Sequence, residues 1–282
     1  MPAMNQIEFL KMHGLGNDFV VLDVRKRALA LSPTAARRIA DRRTGVGCDQ
    51  IVVIAPPLND LADAHLTFLN ADGSEAGACG NGSRCVAALL MREKKTNHAV
   101  LETVSGLLDC EEADAGEIAV DLGPARLDWR DIPLASARDT LHLGIEAGPL
   151  KDPVGVGMGN PHAVFFVPDV AKVDLETFGP QIENNPLFPE RTNVEIAQIL
   201  SPTEIRLRVW ERGAGVTRAC GTGACAALVA ANRRGLAGRK ARIELDGGTL
   251  AAEWLPDNHV LLTGPVATSF AGTLDPKMFE DA

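Results

Sequence analysis

Residues 78–85 read Ala-Cys-Gly-Asn-Gly-Ser-Arg-Cys and residues 219–225 read Ala-Cys-Gly-Thr-Gly-Ala-Cys, so one motif is written twice. The leading cysteines, Cys79 and Cys220, lie 141 positions apart (220 − 79), half of a 282-residue chain. Gly14-Leu15-Gly16-Asn17 is answered by Gly157-Met158-Gly159-Asn160 at an offset of 143 (160 − 17). A third pairing sets Arg43-Thr44-Gly45-Val46 with Gln50-Ile51 against Arg191-Thr192-Asn193-Val194 with Gln198-Ile199, at an offset of 148 (191 − 43). Blocks in one order at similar spacing predict a duplicated domain. Two copies are too few for a solenoid, and each is of ordinary domain size.

Short apolar runs bounded by Gly, Pro, Asn or Asp predict strands over Ile7–Lys11, Phe19–Val24, Ile51–Ala55, His65–Leu69, Ala99–Glu102, Gly116–Asp121, Ala163–Val167, Glu204–Val209, Ala241–Leu245 and His259–Thr263. Asp72-Gly73 and Asp246-Gly247 read as hairpin turns. Four helices are expected: one opened by Ser32-Pro33-Thr34, one from Asp174 to about Asn184, and two following the cysteine motifs, Gly82 to Lys94 and Gly223 to Arg234. The last two are apolar around most of their circumference, so each should be buried at the centre of its domain. The expected fold class is α+β. It comprises two pseudo-symmetric domains, each a mostly antiparallel sheet or barrel wrapped around a central helix, with the active site in the cleft between them. The first domain is read as residues 1–122 completed by 266–282, and the second as 123–265. The polar stretch 126–139 reads as a crossover.

A cysteine at a helix start meets N–H groups without intrahelical partners and the positive end of the helix dipole. That setting predicts a thiol with lowered pKa, beside glycines that let a substrate approach the backbone. Two such thiols suit proton abstraction from a carbon by one and delivery of a proton by the other, which inverts the carbon without redox change. Backbone N–H groups would stabilise the charge that develops on a neighbouring carboxylate. Cys48, Cys85, Cys110 and Cys225 read instead as small buried hydrophobes.

A net charge of −9 disfavours nucleic acid as a partner. No apolar run approaches the ~20 residues that span a bilayer, and the N-terminus lacks a signal-peptide layout. A cytoplasmic location follows as the expectation, and six cysteines there do not imply disulfides. The cysteine spacings do not match zinc knuckles, so no metal is expected.

Seven blocks together resemble the diaminopimelate epimerase family: His13–Phe19, Gly47–Gln50, Phe68–Glu75, Cys79–Gly82, Met158–His162, Glu211–Gly215 and Ala219–Gly223. The resemblance extends from about residue 8 to residue 265. Cys48 and Thr222 are minor departures from the family pattern. The resemblance implies a cofactor-independent isomerase that interconverts LL- and meso-diaminopimelate, a small-molecule substrate, on the way to lysine and peptidoglycan. It makes Cys79 and Cys220 the two acid/base residues. Gly80, Asn81, Gly221 and Thr222 would hold the reacting carboxylate through backbone N–H groups. Asn17, Asn70, Asn160 and Asn193 would line the pocket, with Gln50 near it. Arg212 would pair with the distal carboxylate, Glu211 would bind an ammonium group, and His162 would have an auxiliary part in positioning or tuning a thiol. A homodimer is also implied.

Three other readings compete. A proline- or hydroxyproline-type racemase would keep both thiols with a different pocket, and the asparagines with Glu211-Arg212 favour a substrate with a free distal ammonium and carboxylate. A thiol–disulfide oxidoreductase would want a C-x-x-C pair or a resolving cysteine, and neither is present. An amino-acid binding protein would have no use for two thiols.

Overall fold

A computed structural model of the chain describes residues 7–27, 29–77 and 79–279. The chain divides into two compact units, residues 1–120 with 264–282, and residues 121–263. The class is mixed α+β, mostly sheet with few helices.

The first unit begins with a hairpin of β1 (Ile7–Gly14) and β2 (Asn17–Asp23). Helix α1 (Pro33–Ala40) follows. Ser32 caps it by accepting the Ala35 N–H at 3.2 Å, and Pro33 sits where its missing N–H costs nothing. β3 (Gln50–Ala55) pairs parallel to β2, β4 (Ala64–Asn70) runs antiparallel to β3, and the short β5 (Glu75–Ala76) turns back antiparallel on β4. Helix α2 (Gly80–Lys94) packs against β1, β2, β6 (His98–Thr103) and β7 (Gly106–Glu112). β8 (Ile118–Pro124) leads into the second unit.

The second unit opens on an irregular stretch. Residues 126–139 are not the polar crossover their composition suggested: Ile132 and Leu134 are buried in the core with Trp129 packed beside them. Three apolar side chains decide its fate against a polar average. A small hairpin, β9 (Glu146–Ala147) with β10 (Leu150–Lys151), precedes β11 (Val154–Gly157) and β12 (Pro161–Phe166). Asp174 caps α3 (Leu175–Glu183). β13 (Asn193–Ser201) runs parallel to β12, and β14 (Glu204–Glu211) and β15 (Gly215–Thr217) continue antiparallel. Helix α4 (Gly221–Arg233) packs on β11 to β14, β16 (Lys240–Leu245) and β17 (Gly248–Trp254), and β18 (His259–Gly264) completes this unit. The chain then returns to the first unit as β19 (Ala267–Leu274), antiparallel to β1.

Strand register shows how the duplication maps. In the first unit Phe19 opposes Gln50 across the parallel pair, and in the second His162 opposes Asn193. Both correspondences have an offset of 143 (162 − 19 and 193 − 50). The counterpart of Gln50 is therefore Asn193, which corrects the 148 offset that set it against Gln198. Likeness of residue type misled there; backbone pairing sets the equivalence. Further on, Phe68↔Ala76 corresponds to Val209↔Thr217 at 141 (209 − 68 and 217 − 76), the offset of the two cysteines.

Candidate active site

Both motif helices start earlier than Gly82 and Gly223. Cys79 (φ −141°, ψ 107°) and Cys220 (φ −126°, ψ 115°) are extended N-cap residues, and helix begins at the next residue. Each thiol therefore stands at the mouth of a helix whose body is buried. Gly82 makes the first arrangement possible: a Cβ there would lie 2.7 Å from the ring of Phe68 and 3.3 Å from that of Phe19.

In the first unit the side chain of Asn17 faces the thiol. Its Oδ1 lies 3.8 Å from Cys79 Sγ and accepts Asn81 Nδ2 at 3.1 Å. Its Nδ2 donates to Asp49 at 2.9 Å, which fixes which end of the amide points at sulfur. Asn81 Oδ1 in turn accepts Arg84 Nη2 at 2.6 Å, and Arg84 is fully buried. Asp49 belongs to a charge network in which Asp18 takes Lys11 and Arg42 as partners, and they hold the Asp18 carboxyl far below its usual range despite its burial. Gln50 Nε2 donates to Asn70 Oδ1 at 2.9 Å, so these two predicted pocket residues hold each other.

In the second unit Cys220 Sγ accepts the Gly223 N–H at 3.4 Å and lies 3.6 Å from Thr222 Oγ1. Asn160 Nδ2 reaches Thr222 Oγ1 at 3.5 Å, and Asn160 Oδ1 contacts His162 Nε2 at 2.8 Å. His162 Nδ1 lies 2.6 Å from Glu195 Oε1, with neither side chain accessible to solvent. The expectation of a lowered pKa fails for Cys220. Burial pushes this thiol well above its ordinary range, the carboxylates of Glu211 and Glu195 add to that, and the bonds from Thr222 and Gly223 offset it only in part. The helix start alone had suggested a thiolate; the pocket behind it keeps the proton on sulfur.

The Glu211–Gly215 loop is held from below. Glu183, 5% exposed, accepts Trp210 Nε1 at 2.6 Å, the Gly213 N–H at 2.9 Å and Arg191 at 3.2 Å. Thr217 donates to Glu211. Asn193 spends both ends of its amide on backbone: it accepts the Arg212 N–H at 2.9 Å and donates to the Pro161 carbonyl at 3.0 Å. It therefore holds the Arg212 backbone, and each end of its amide keeps capacity for one more hydrogen bond. Arg212 donates to the Glu190 carbonyl at 3.0 Å, and among the described residues no carboxylate pairs with it. Its planar fork suits a carboxylate supplied from outside.

Sequence reasoning assigned no part to Arg84, Asp49, Glu183 or Glu195. Arg84 and Asp49 sit inside quoted motif blocks, and a charged residue in an otherwise apolar helix such as α2 was a readable signal. Glu183 and Glu195 carried none, since a lone Glu usually marks a surface. Among the described residues no group of His, Cys, Asp and Glu could hold a metal ion, and no helix is long and apolar enough to cross a membrane.

Two solved structures share the fold. A hydroxyproline epimerase from Agrobacterium vitis with bound trans-4-OH-L-proline aligns with TM-score 0.67 at 15% identity, covering 98% of this chain and 95% of that one. A methylitaconate-delta-isomerase aligns with TM-score 0.64 at 14% identity, covering 99% and 98%. The diaminopimelate epimerase of Rhodospirillum centenum (strain ATCC 51521 / SW) is 62% identical over 94% of this chain and 91% of its own length. That of Acidiphilium cryptum (strain JF-5) is 57% identical over 96% and 97%. The family model for diaminopimelate epimerase matches residues 9–127 and 154–268. With those matches spanning both cysteine motifs, the chain belongs to the diaminopimelate epimerase family.

Proposed function

We propose that this protein interconverts LL- and meso-2,6-diaminopimelate, with Cys79 and Cys220 as the acid/base pair at one α-carbon. The observation that carries this reading is the repeated N-cap cysteine: the same thiol at the same place in a duplicated scaffold, 141 residues apart (220 − 79). One sulfur takes the α-proton as a thiolate while the other, as a thiol, gives a proton to the opposite face. The C–H bond that breaks and the one that forms lie on opposite sides, so configuration inverts and no electrons are gained or lost. Cys220, holding its proton at rest, suits the donor role at the start of a turnover. Helix N–H groups beside each sulfur suit the substrate carboxylate, where charge accumulates as the proton leaves. Arg212 takes the distal carboxylate, and Glu211 the ammonium.

The reading includes residence in the cytoplasm, where thiols stay reduced. It also includes a homodimer, which the family resemblance implies and light scattering tests. Proton NMR in D2O with LL-diaminopimelate under reducing conditions tests the activity. The expected result is loss of the α-proton signal with appearance of the meso isomer, abolished in Cys79→Ala and in Cys220→Ala. Exchange with proline or hydroxyproline in place of diaminopimelate would reassign the substrate, and undiminished exchange in either variant would end the two-thiol mechanism.

A further inference from the structure

The two units build one scaffold with different chemistry at one spot. Phe19 and Val52 of the first unit, both fully buried, stand where the second unit carries His162 and Glu195 (162 − 19 = 143; 195 − 52 = 143). The scaffold closes with an apolar pair in one copy, so folding does not call for a histidine–carboxyl pair in the other. The helix following each cysteine registers the change. The ideal Cβ of Gly82 would meet Phe68 and Phe19, whereas that of Gly223 would lie 2.9 Å from Glu195 Oε1 and 3.3 Å from Cys220 Sγ. Glycine at position 223 leaves the space that Glu195 and the sulfur share.

We propose that Glu195 is a positioning residue for Cys220: it holds Nδ1 of His162 so that Nε2 presents a hydrogen to Asn160, and the chain Asn160–Thr222 carries that orientation to the sulfur. The inference rests on the reading of Cys220 as an acid/base group.

The partners place the hydrogens. Nε2 faces the Asn160 amide oxygen, which can only accept, so Nε2 carries a hydrogen, and Nδ1 and Glu195 Oε1, 2.6 Å apart, share another. Glu195 Oε2 is buried and has no hydrogen-bond partner among the described residues. Nε2–H then donates to Asn160 Oδ1 at 2.8 Å, and Asn160 Nδ2 donates toward Thr222 Oγ1 at 3.5 Å. With its oxygen taken as acceptor, the Thr222 hydroxyl turns its hydrogen to Cys220 Sγ, 3.6 Å away. Every donor in the row points toward the sulfur, as does the Gly223 N–H. This is the arrangement a thiolate at Cys220 needs at the moment it has given its proton away.

The test combines spectroscopy with kinetics. In 15N-histidine-labelled wild type at neutral pH, His162, assigned by loss of its signals in His162→Gln, is expected to show a protonated Nε2 and a hydrogen-bonded Nδ1. A bare Nε2 overturns the proposal. Glu195→Leu removes the hold on the ring and is expected to lower kcat for α-proton exchange about tenfold, the rate equivalent of one hydrogen bond, with KM within about twofold. Glu195→Gln, whose amide N–H can donate to Nδ1, is expected to restore kcat to within about threefold of wild type. Full kcat in Glu195→Leu, or an equal loss in Glu195→Gln, overturns it. If Glu195→Leu does not fold, the wild-type spectrum and Glu195→Gln still decide. Absence of exchange by wild type defeats the epimerase reading alone and leaves the ring-protonation result standing.

Discussion

Asn193 holds Arg212 by its backbone, accepting the Arg212 N–H at 2.9 Å while donating to the Pro161 carbonyl at 3.0 Å. One amide thus ties the strand that carries His162 to the loop that carries Glu211 and Arg212. Asn193→Ala leaves a buried N–H and a carbonyl without partners. The expected cost is about 1–3 kcal/mol in urea denaturation, with a rise in KM larger than the fall in kcat because Arg212 loses its orientation.

Arg84 supports the other thiol from beneath, through Asn81 and Asn17. Arg84→Met keeps an apolar stem and removes the guanidinium. Asn81 then loses its anchor and Asn17 its donor. The expected outcome is a drop of about 2 kcal/mol in stability and at least a tenfold fall in kcat, read by chemical denaturation and by α-proton exchange.

Gly82→Ala places a methyl group 2.7 Å from the Phe68 ring, which is buried and cannot swing aside cheaply. Overpacking of this kind costs about 1–3 kcal/mol. Because Gly82 lies one turn from Cys79, the variant is expected to lose activity at temperatures well below its lowered Tm. An unchanged Tm would show that the two rings can yield.

Buried thiols make the fold sensitive to alkali. Burial pushes Cys48 up to about 11 and Cys85 up to about 12, against 9.0 for an exposed thiol. Above pH 9 the unfolded chain releases protons that the folded chain keeps, so stability falls as pH rises. Compared with Cys48→Ala, wild type is expected to lose about 1.4 kcal/mol per pH unit between about pH 9 and 11. Parallel stability curves for the two proteins would contradict this.

His162→Phe combined with Glu195→Val gives the second unit the apolar pair that the first unit carries at Phe19 and Val52. Replacing a buried polar pair by apolar groups is often neutral or stabilising by about 1–4 kcal/mol. The double variant is expected to fold with unchanged or higher Tm and to lose most of its kcat, separating what builds this scaffold from what it does.

Much of this molecule could be read from the chain because duplication and helix-capping chemistry are local. Ser32-Pro33, Asp174 and the two cysteine motifs announce the four α-helices among the described residues, and the hairpins at Asp72-Gly73 and Asp246-Gly247 form between the strands they separate. What escaped depends on the third dimension. β13, whose first five residues are all buried although Asn193 and Glu195 are polar, and the alternating β17 were not distinguished from loop by local composition, and the burial of Ile132 and Leu134 reverses a polar average. The thiol of Cys220 was misjudged because a helix start is visible in sequence, whereas two carboxylates converging from β13 and β14 are not. Gln50 and Asn193 were misaligned for the same reason, since parallel register is a property of paired strands.

The last strand, β19, lies against β1. The first unit is thus written in two pieces, with the entire second unit inserted between them. On a ribosome, residues 121–263 emerge complete while their neighbour still lacks an edge, and β1 waits with a row of unpaired backbone groups. The order of completion is therefore the reverse of the order of numbering: the unit bearing Cys220 can finish first, and the unit bearing Cys79 closes only when Leu274 has been made.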